Sequence, residues 1–165
     1  MSLVWLWQRA KKSFVIQSFL NGQPIAISTN HDPATAVVTY SIYPGHEKEF
    51  AALEAKLILA LPALKHFNSL DWHQLDPIFG RGSMAAEFCY LACGRIDGLV
   101  RLKQKPWDVA AGSIIAAEAG ATMTNLRQQP CSVYEGDYLA ANPSLLKKIF
   151  QIISNHERLL RLAKN

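Results

Sequence analysis

The sequence predicts an α/β fold, because short β-prone apolar segments alternate with helical segments through its second half. Half of the 165 residues are hydrophobic and 18% are charged, a balance typical of a folded domain with a core. No internal repeat or low-complexity linker interrupts the chain. We therefore expect a single domain over residues 14–165, preceded by an amino-terminal extension of unclear structure over residues 1–13.

The first predicted element is a β-hairpin over residues 14–27. Its two apolar arms are separated by Asn21-Gly22, a strong signal for a two-residue turn. A β-branched and aromatic run over residues 36–43 predicts the next strand. Apolar residues at helical spacing, with two glutamates in the first turn, predict a helix over residues 46–61.

A loop-like stretch over residues 67–80, with one possible short strand, leads to a second predicted helix over residues 83–93. Ser83 is expected to cap this helix, because its hydroxyl can accept from a free amide of the first turn. Gly94 is expected to close it. The apolar run over residues 96–102 then predicts a strand.

The last three segments complete the alternation. A third helix is predicted over residues 108–119, ended by Gly120 at the position that favours a left-handed residue. Short strands are predicted over residues 121–126 and 138–141. The apolar stripe of residues 143–162 predicts a long amphipathic helix at the carboxyl end.

The cysteines and the amino terminus bear on the compartment. An odd count of three cysteines and the absence of a signal peptide favour a reducing compartment, and we expect all three to be buried as small apolar groups. The apolar residues 1–7 are too short for a signal sequence, and no run reaches the length needed to span a membrane. We therefore expect a cytoplasmic protein.

The charge distribution limits the partners. The formal net charge is +4, and the excess of basic residues lies mainly near the two ends of the chain. We interpret these residues as solvated ends, although an anionic small substrate could also use them. No basic stripe is interleaved with aromatic residues, so nucleic acid is not an expected partner.

A single carboxylate, Asp108, stands at the start of the third predicted helix and has two interpretations. It can cap the helix and interact with the positive end of the helix dipole. It can also be a rigidly held ligand for a hard cation such as Mg²⁺. Ala110, Ala111 and Gly112, which follow it, would let another backbone or a phosphate group approach the helix end closely.

The segment around Asp108, KPWDVAAGSIIAAEAGATMTN (residues 105–125), resembles the second signature of the inositol monophosphatase family. Three further segments are similar to the family in the same order. They are FLNGQPIAIS (19–28), GSMAAEFCYLACGRIDG (82–98) and YLAANPSLL (138–146), so that the resemblance covers roughly residues 14–155.

The resemblance implies the carboxyl-side portion of the family's layered αβαβα sandwich, a mixed sheet flanked by helices. It also implies Mg²⁺-dependent hydrolysis of a phosphate monoester. Asp108 would be a metal ligand, Trp107 would buttress it, and the small residues Ala110, Ala111 and Gly112 would support the site. By the same resemblance the site residues on the substrate side are Gly82, Ser83 and Met84.

The sequence also departs from the family. The family's first signature, Asp-Pro-x-Asp-Gly-Thr, supplies further metal-binding carboxylates before the hairpin, whereas residues 1–18 contain no Asp or Glu. Two Asp-Pro pairs, at Asp32 and Asp76, follow the hairpin and lack the second carboxylate. Arg101 stands where many members carry an acidic substrate-binding residue. It could meet a second phosphate, or it could point to solvent.

We therefore expect a phosphatase-family chain that lacks its first metal-binding motif and is incomplete for catalysis alone. Two alternatives remain: a non-catalytic interaction module, or one half of a split phosphatase that a partner chain completes. The substrate would be a small phosphorylated metabolite, and Mg²⁺ would bind weakly or not at all to this chain alone. Self-association through an uncovered apolar face is also expected.

Overall fold

The computed structural model describes residues 17–42, 45–61, 65–66 and 83–162. Within these residues the chain forms a two-stranded hairpin, a five-stranded mixed sheet and four helices. The strands are β1 (Phe19–Leu20), β2 (Gln23–Pro24), β3 (Val38–Ile42), β4 (Lys65–His66), β5 (Gly98–Leu102), β6 (Thr122–Thr124) and β7 (Tyr138–Ala141). The helices are α1 (Glu47–Ala60), α2 (Met84–Ala92), α3 (Pro106–Glu118) and α4 (Pro143–Leu162).

The sheet has the order β4-β3-β5-β7-β6, with β3 parallel to β4 and β5, and β7 antiparallel to β5 and β6. The parallel pairs are joined by helical crossovers, as parallel strands require. Strand β5 lies in the middle of this sheet, and all five of its residues are buried. The carboxyl ends of β3 and β5 therefore meet at one edge, the place where ligands bind in α/β sheets. The α/β class predicted from the sequence is confirmed.

Alternation of side chains along the strands produces two apolar cores. On one face of the sheet, Val100 and Leu139 pack against apolar residues of α1 and α4. On the other face, Leu99 and Tyr138 pack against apolar residues of α2 and α3. Because side chains alternate across a strand with a period of two, neighbouring residues of β5 and β7 belong to opposite cores.

The predicted hairpin turn is confirmed in its geometry. Asn21 and Gly22 have φ angles of 51° and 78°, and a two-residue turn with positive φ at both positions matches the twist of the flanking strands. Its strands are short, with Phe19 opposite Pro24 in the register. Residues 14–16 of the predicted hairpin lie outside the described residues.

The helix ends agree with the sequence signals. The Ser83 hydroxyl accepts from the backbone N–H of Ala86 at 3.4 Å and caps α2, as expected. Gly94 and Gly120 follow α2 and α3 with φ angles of 70° and 104°, the left-handed region that favours glycine. Helix α3 begins two residues earlier than predicted, at Pro106, because a fixed φ and a missing N–H suit the first helical position.

The expectations for the cysteines and for the loop over residues 67–80 have different outcomes. The expectation that all three cysteines are buried is wrong: Cys89 is exposed, and Cys93 and Cys131 are only partly buried. The loop expected over residues 67–80 lies outside the described residues.

Among the helices of the described ranges, none is both long enough and apolar enough to cross a membrane.

Candidate functional site

Asp108 lies in the first turn of α3, which begins four residues after β5 ends. It is partly exposed, and its backbone N–H donates to the Lys105 carbonyl at 3.1 Å. Lys105 is the N-cap residue, and no side-chain capping bond is made. The capping interpretation of Asp108 is therefore wrong. Its carboxylate still lies at the positive end of the helix dipole, near the carboxyl end of the central strand.

Gly112 lies one turn further along α3, where the helix passes very close to α2. A Cβ atom at Gly112 would lie 2.5 Å from the Phe88 Cβ and about as close as 3.0 Å to its ring. The close approach expected here is thus made by a neighbouring helix. Ala110 is partly buried and Ala111 is exposed. Asp108, four residues before Gly112, lies on the same side of α3 and so on its α2 flank.

The segment expected to line the substrate side is only partly described. Gly82 lies outside the described residues. Ser83 is exposed and caps α2, whereas Met84 is buried at 7% exposure in the core between α2, α3 and the sheet. A substrate-facing role for these residues stays a prediction. Because the Met84 thioether is buried, it can support such a site only by packing beneath it.

Arg101 has no exposed surface, so the interpretation that it points to solvent is wrong. Its guanidinium forms an ion pair with Glu87 of α2 and donates to the Thr39 hydroxyl at 2.9 Å and to the Val100 carbonyl at 2.8 Å. The Thr39 hydroxyl in turn donates to the Glu87 carboxylate at 3.0 Å. Contact with a phosphate would require this network to open, and substrate binding by Arg101 stays a prediction.

The environment of Arg101 has an electrostatic consequence. Burial lowers the pKa of the guanidinium to about 9, because a charged group loses its hydration in the core. The adjacent Glu87 carboxylate acts in the opposite direction, because a nearby negative charge favours the charged guanidinium. Glu87 was missed in the sequence, because a glutamate inside an amphipathic helix gives no sign that it faces the sheet.

The side chain of Trp107 is 77% exposed. As consecutive residues of a helix, Trp107 and Asp108 point about 100° apart. Support of Asp108 by Trp107 stays a prediction.

A concave region of about 460 Å³ opens elsewhere at the same sheet edge, and Asp108 is not among its lining residues. Its polar side chains largely satisfy one another. The Lys103 ammonium lies 3.3 Å from the Glu49 carboxylate and 5.5 Å from the centre of the Phe50 ring. The Asp137 carboxylate accepts from the Lys103 backbone N–H at 3.0 Å. The cleft is therefore an ion-paired surface depression on the α1 side of the sheet.

The donor set around Asp108 does not fit a complete Mg²⁺ centre. Among the residues that the structure describes, no three His, Cys, Asp or Glu side chains converge as a metal site would require. Mg²⁺ demands octahedral oxygen coordination and is normally held by one or two carboxylates plus substrate phosphate. Asp108 can supply one such oxygen ligand, and the described residues do not complete a group of three potential ligands around it.

Comparison with known proteins agrees with the resemblance in the sequence. The family model described as the inositol monophosphatase family matches residues 8–158. The inositol-1-monophosphatase of Bacillus subtilis is 34% identical over 112 residues, which are 63% of this chain and 42% of that protein. The Nus factor SuhB of Vibrio cholerae is 44% identical over 72 residues, 44% of this chain and 27% of that protein.

A solved structure shows the same fold. The inositol monophosphatase from Anabaena superposes with a TM-score of 0.66 at 24% identity, over 82% of this chain and 51% of that one. The chain thus spans about half of the solved relative and less than half of each curated relative described above.

Proposed function

The chain belongs to the inositol monophosphatase family, and from this premise we propose that it is the carboxyl-side half of a Mg²⁺-dependent phosphate monoester hydrolase. In this proposal Asp108 is one of the metal ligands, and the substrate is a small phosphorylated metabolite. The described residues supply too few metal-binding groups for catalysis, so we expect residues 1–165 to be inactive alone.

The position of Asp108 carries the proposal. Its carboxylate is partly exposed, does not cap α3 and lies where the central strand ends. Most carboxylates in the first turn of a helix have a structural role, and the capping role is missing here. The first turn of a helix holds the backbone of Asp108 rigidly. A fixed ligand position suits Mg²⁺, because this ion tolerates little deviation from its preferred octahedral geometry.

The donor set of the described residues supports the need for further metal ligands. One carboxylate binds Mg²⁺ too weakly to fix a water molecule and a phosphate together. The solved relative with the same fold is about twice as long as the matched region of this chain. The chemistry of the reaction would thus depend on oxygen ligands that the described residues do not contain.

Phosphate release tests whether the chain is a half. The purified chain, its Asp108→Asn variant and an Asp32→Asn control at an exposed turn are incubated with inositol 1-phosphate and Mg²⁺. We expect all three to remain at the rate of the buffer. A Mg²⁺-dependent rate that disappears only in Asp108→Asn would show that the chain is a complete enzyme and would overturn the half-site proposal.

Paramagnetic broadening tests the ligand itself. Mn²⁺ prefers the same hard oxygen ligands as Mg²⁺, and it broadens the NMR signals of nearby amides. We expect Mn²⁺ to broaden the amides around residues 105–112 in the wild-type chain and in Asp32→Asn, and to lose this effect in Asp108→Asn. Equal broadening in Asp108→Asn would remove Asp108 from the proposed site.

A non-catalytic interaction module is the second candidate, and an exposed apolar surface favours it. Trp107 and Phe19 are 77% and 60% exposed, which is unusual for large aromatic side chains in a lone domain. Selective broadening at Asp108 distinguishes the two candidates, because a module with no metal role has no reason to bind Mn²⁺ there.

A further inference from the structure

Two of the three cysteines stand one helical turn apart at the carboxyl end of α2. Cys89 is exposed, Cys93 is partly buried, and both are free thiols. The backbone N–H of Cys93 donates to the Cys89 carbonyl at 3.1 Å, so the two residues keep the i,i+4 relation of a regular helix. Residues with this relation lie on the same side of a helix, one above the other.

The sulfur of Cys93 points back toward the turn that contains Cys89. The Cys93 thiol donates to the Tyr90 carbonyl with an S···O distance of 3.6 Å, and this bond turns the side chain toward the preceding turn of α2. Desolvation raises the pKa of the Cys89 thiol, and a negative charge on Cys93 raises it further, as expected for two neighbouring sulfur atoms. The fold thus brings two sulfur ligands to one side of α2.

The spacing of the two cysteines favours a bridging ion over a disulfide. Cβ atoms one turn apart on a helix are separated by about 5–6 Å, whereas a disulfide needs Cβ atoms about 3.5–4.5 Å apart. An ion between the sulfur atoms lengthens the bridge, because two metal–sulfur bonds of about 2.3 Å replace one sulfur–sulfur bond of about 2.0 Å. The pair can therefore hold an ion without distortion of α2, whereas a disulfide would distort the helix.

We propose that Cys89 and Cys93 form a two-thiolate binding site for the soft cation Cu(I). Thiolates select Cu(I) and Zn²⁺ over hard cations such as Mg²⁺. Zn²⁺ takes four ligands in a structural site, and the residues that the structure describes contain no group of three potential ligands. Cu(I) is stable with two thiolates, so it fits the pair. Each thiol releases its proton to solvent as its sulfur binds, and no electron is transferred.

The charges around the pair have opposing effects on the bound ion. Two thiolates and one Cu(I) together carry one negative charge, which the negative end of the α2 dipole disfavours. The Arg95 guanidinium lies 5.4 Å from the centre of the Tyr90 ring. Tyr90 is also the residue whose carbonyl accepts from the Cys93 thiol. Arg95 therefore supplies a positive charge in the same turn, which offsets part of the dipole effect.

The cysteine pair lies away from Asp108, at the other end of the helix layer. A Cβ atom at Gly94, which follows α2, would lie 3.7 Å from the Ile27 carbonyl carbon, and one at Gly120, which follows α3, would lie 3.8 Å from the Ile27 side chain. The carboxyl ends of α2 and α3 therefore meet at Ile27, whereas Asp108 is in the first turn of α3. Copper binding is thus separate from the metal ligand proposed at Asp108, and either proposal can fail without the other.

Competition with a chromogenic chelator tests the site. The reduced chain is titrated with Cu(I) in the absence of oxygen against bathocuproine disulfonate, and we expect one Cu(I) per chain. Cys89→Ser and Cys93→Ser should each raise the dissociation constant at least tenfold, because only one thiolate of the pair remains. Cys131→Ser, which removes the third thiol from a position outside α2, is the matched control and should bind as the wild type does. Asp108→Asn should also bind unchanged.

Relocation of one thiol tests the spacing. In the Cys93→Ser background, Ala85→Cys at an exposed position of α2 places a thiol one turn before Cys89 and should restore the affinity. Circular dichroism verifies that each variant is folded, and Cu(I) should raise the midpoint of thermal unfolding of the wild type but not of Cys89→Ser.

Four results would overturn the proposed copper site. They are the absence of Cu(I) binding by the wild-type chain, binding that survives Cys89→Ser, a stoichiometry of one Cu(I) per two chains, and a folded Ala85→Cys/Cys93→Ser variant that does not regain affinity. The third result would mean that single exposed thiols of separate chains share the ion. The fourth would mean that the one-turn spacing does not determine binding.

Discussion

A single residue in the middle of the sheet, Arg101, illustrates how far a side chain can depart from its usual position. A guanidinium with no exposed surface is tolerated only when its charge and its donors are matched. Glu87 supplies the charge, and the Thr39 hydroxyl joins the two by accepting from one and donating to the other. The network ties β3, β5 and α2 together, so its loss affects the contact between the sheet and the helix layer.

Glu87→Gln should lower the free energy of unfolding by about 3–5 kcal/mol, because it leaves a buried guanidinium without a counter-charge. Urea denaturation monitored by circular dichroism measures this change. Glu135→Gln, which neutralises an exposed carboxylate, is the control and should change the free energy by less than about 1 kcal/mol. The triple variant Glu87→Leu/Arg101→Met/Thr39→Val should recover most of the loss. Equally small changes in the free energy of unfolding for Glu87→Gln and Glu135→Gln would show that the ion pair between Glu87 and Arg101 is solvated.

At the scale of elements, the contact between α2 and α3 depends on the absence of a side chain. Gly112 lets the Phe88 side chain approach the α3 backbone, so these two helices pack more closely than a Cβ would allow. A mid-helix glycine normally costs about 1 kcal/mol relative to alanine. Here the close packing of α2 offsets that cost, and Asp108 keeps a fixed position one turn before the contact.

Gly112→Ala should lower the free energy of unfolding by about 1–2 kcal/mol, although alanine is the better helix former. The new Cβ would lie 2.5 Å from the Phe88 Cβ, which is attached to the backbone of α2 and can move only with it. Overpacking of this kind costs typically 1–3 kcal/mol, and the gain in helix propensity only partly offsets it. Thermal and urea unfolding measure the change.

Ala111→Gly, at the exposed neighbouring position, measures the effect of helix propensity without a change in packing. It should lower the free energy of unfolding by about 0.5–1 kcal/mol. A Gly112→Ala variant that is as stable as the wild type, or more stable, would contradict the close packing.

Local signals explain which elements could be predicted from the sequence. Asn21-Gly22, Ser83, Gly94 and Gly120 act on their own segments, and each has the predicted conformation. Asp108 is found where a helix start was expected, although the capping bond is not. The ion pair of Arg101 joins residues that are far apart in the sequence and depends on how α2 packs on the sheet. A pattern along one segment cannot reveal such a contact, and the same holds for the exposure of Cys89.

At the scale of the whole molecule, the sheet separates two apolar cores, which have no side chain in common among the residues that the structure describes. The core on the α1 and α4 face contains Ile149, and the core on the α2 and α3 face contains Ile96, each only 1% exposed. The two cores share the backbone of β5 and β7, and the side chains of those strands alternate between them. We therefore expect the described residues to unfold as one unit through the shared backbone hydrogen bonds, with nearly independent packing energies in the two cores.

Ile96→Val and Ile149→Val should each lower the free energy of unfolding by about 0.5–1.5 kcal/mol, the cost of one buried methylene and its residual cavity. The double variant should lose the sum of the two within about 0.5 kcal/mol, because the sheet lies between the sites and the two buried clusters of the described residues have no member in common. Urea denaturation at one fixed protein concentration measures all four proteins, with coincident fluorescence and circular dichroism transitions as the control for a single unfolding step. A coupling larger than about 1 kcal/mol would mean that strain passes through the sheet, and a biphasic transition would mean that the two faces unfold separately.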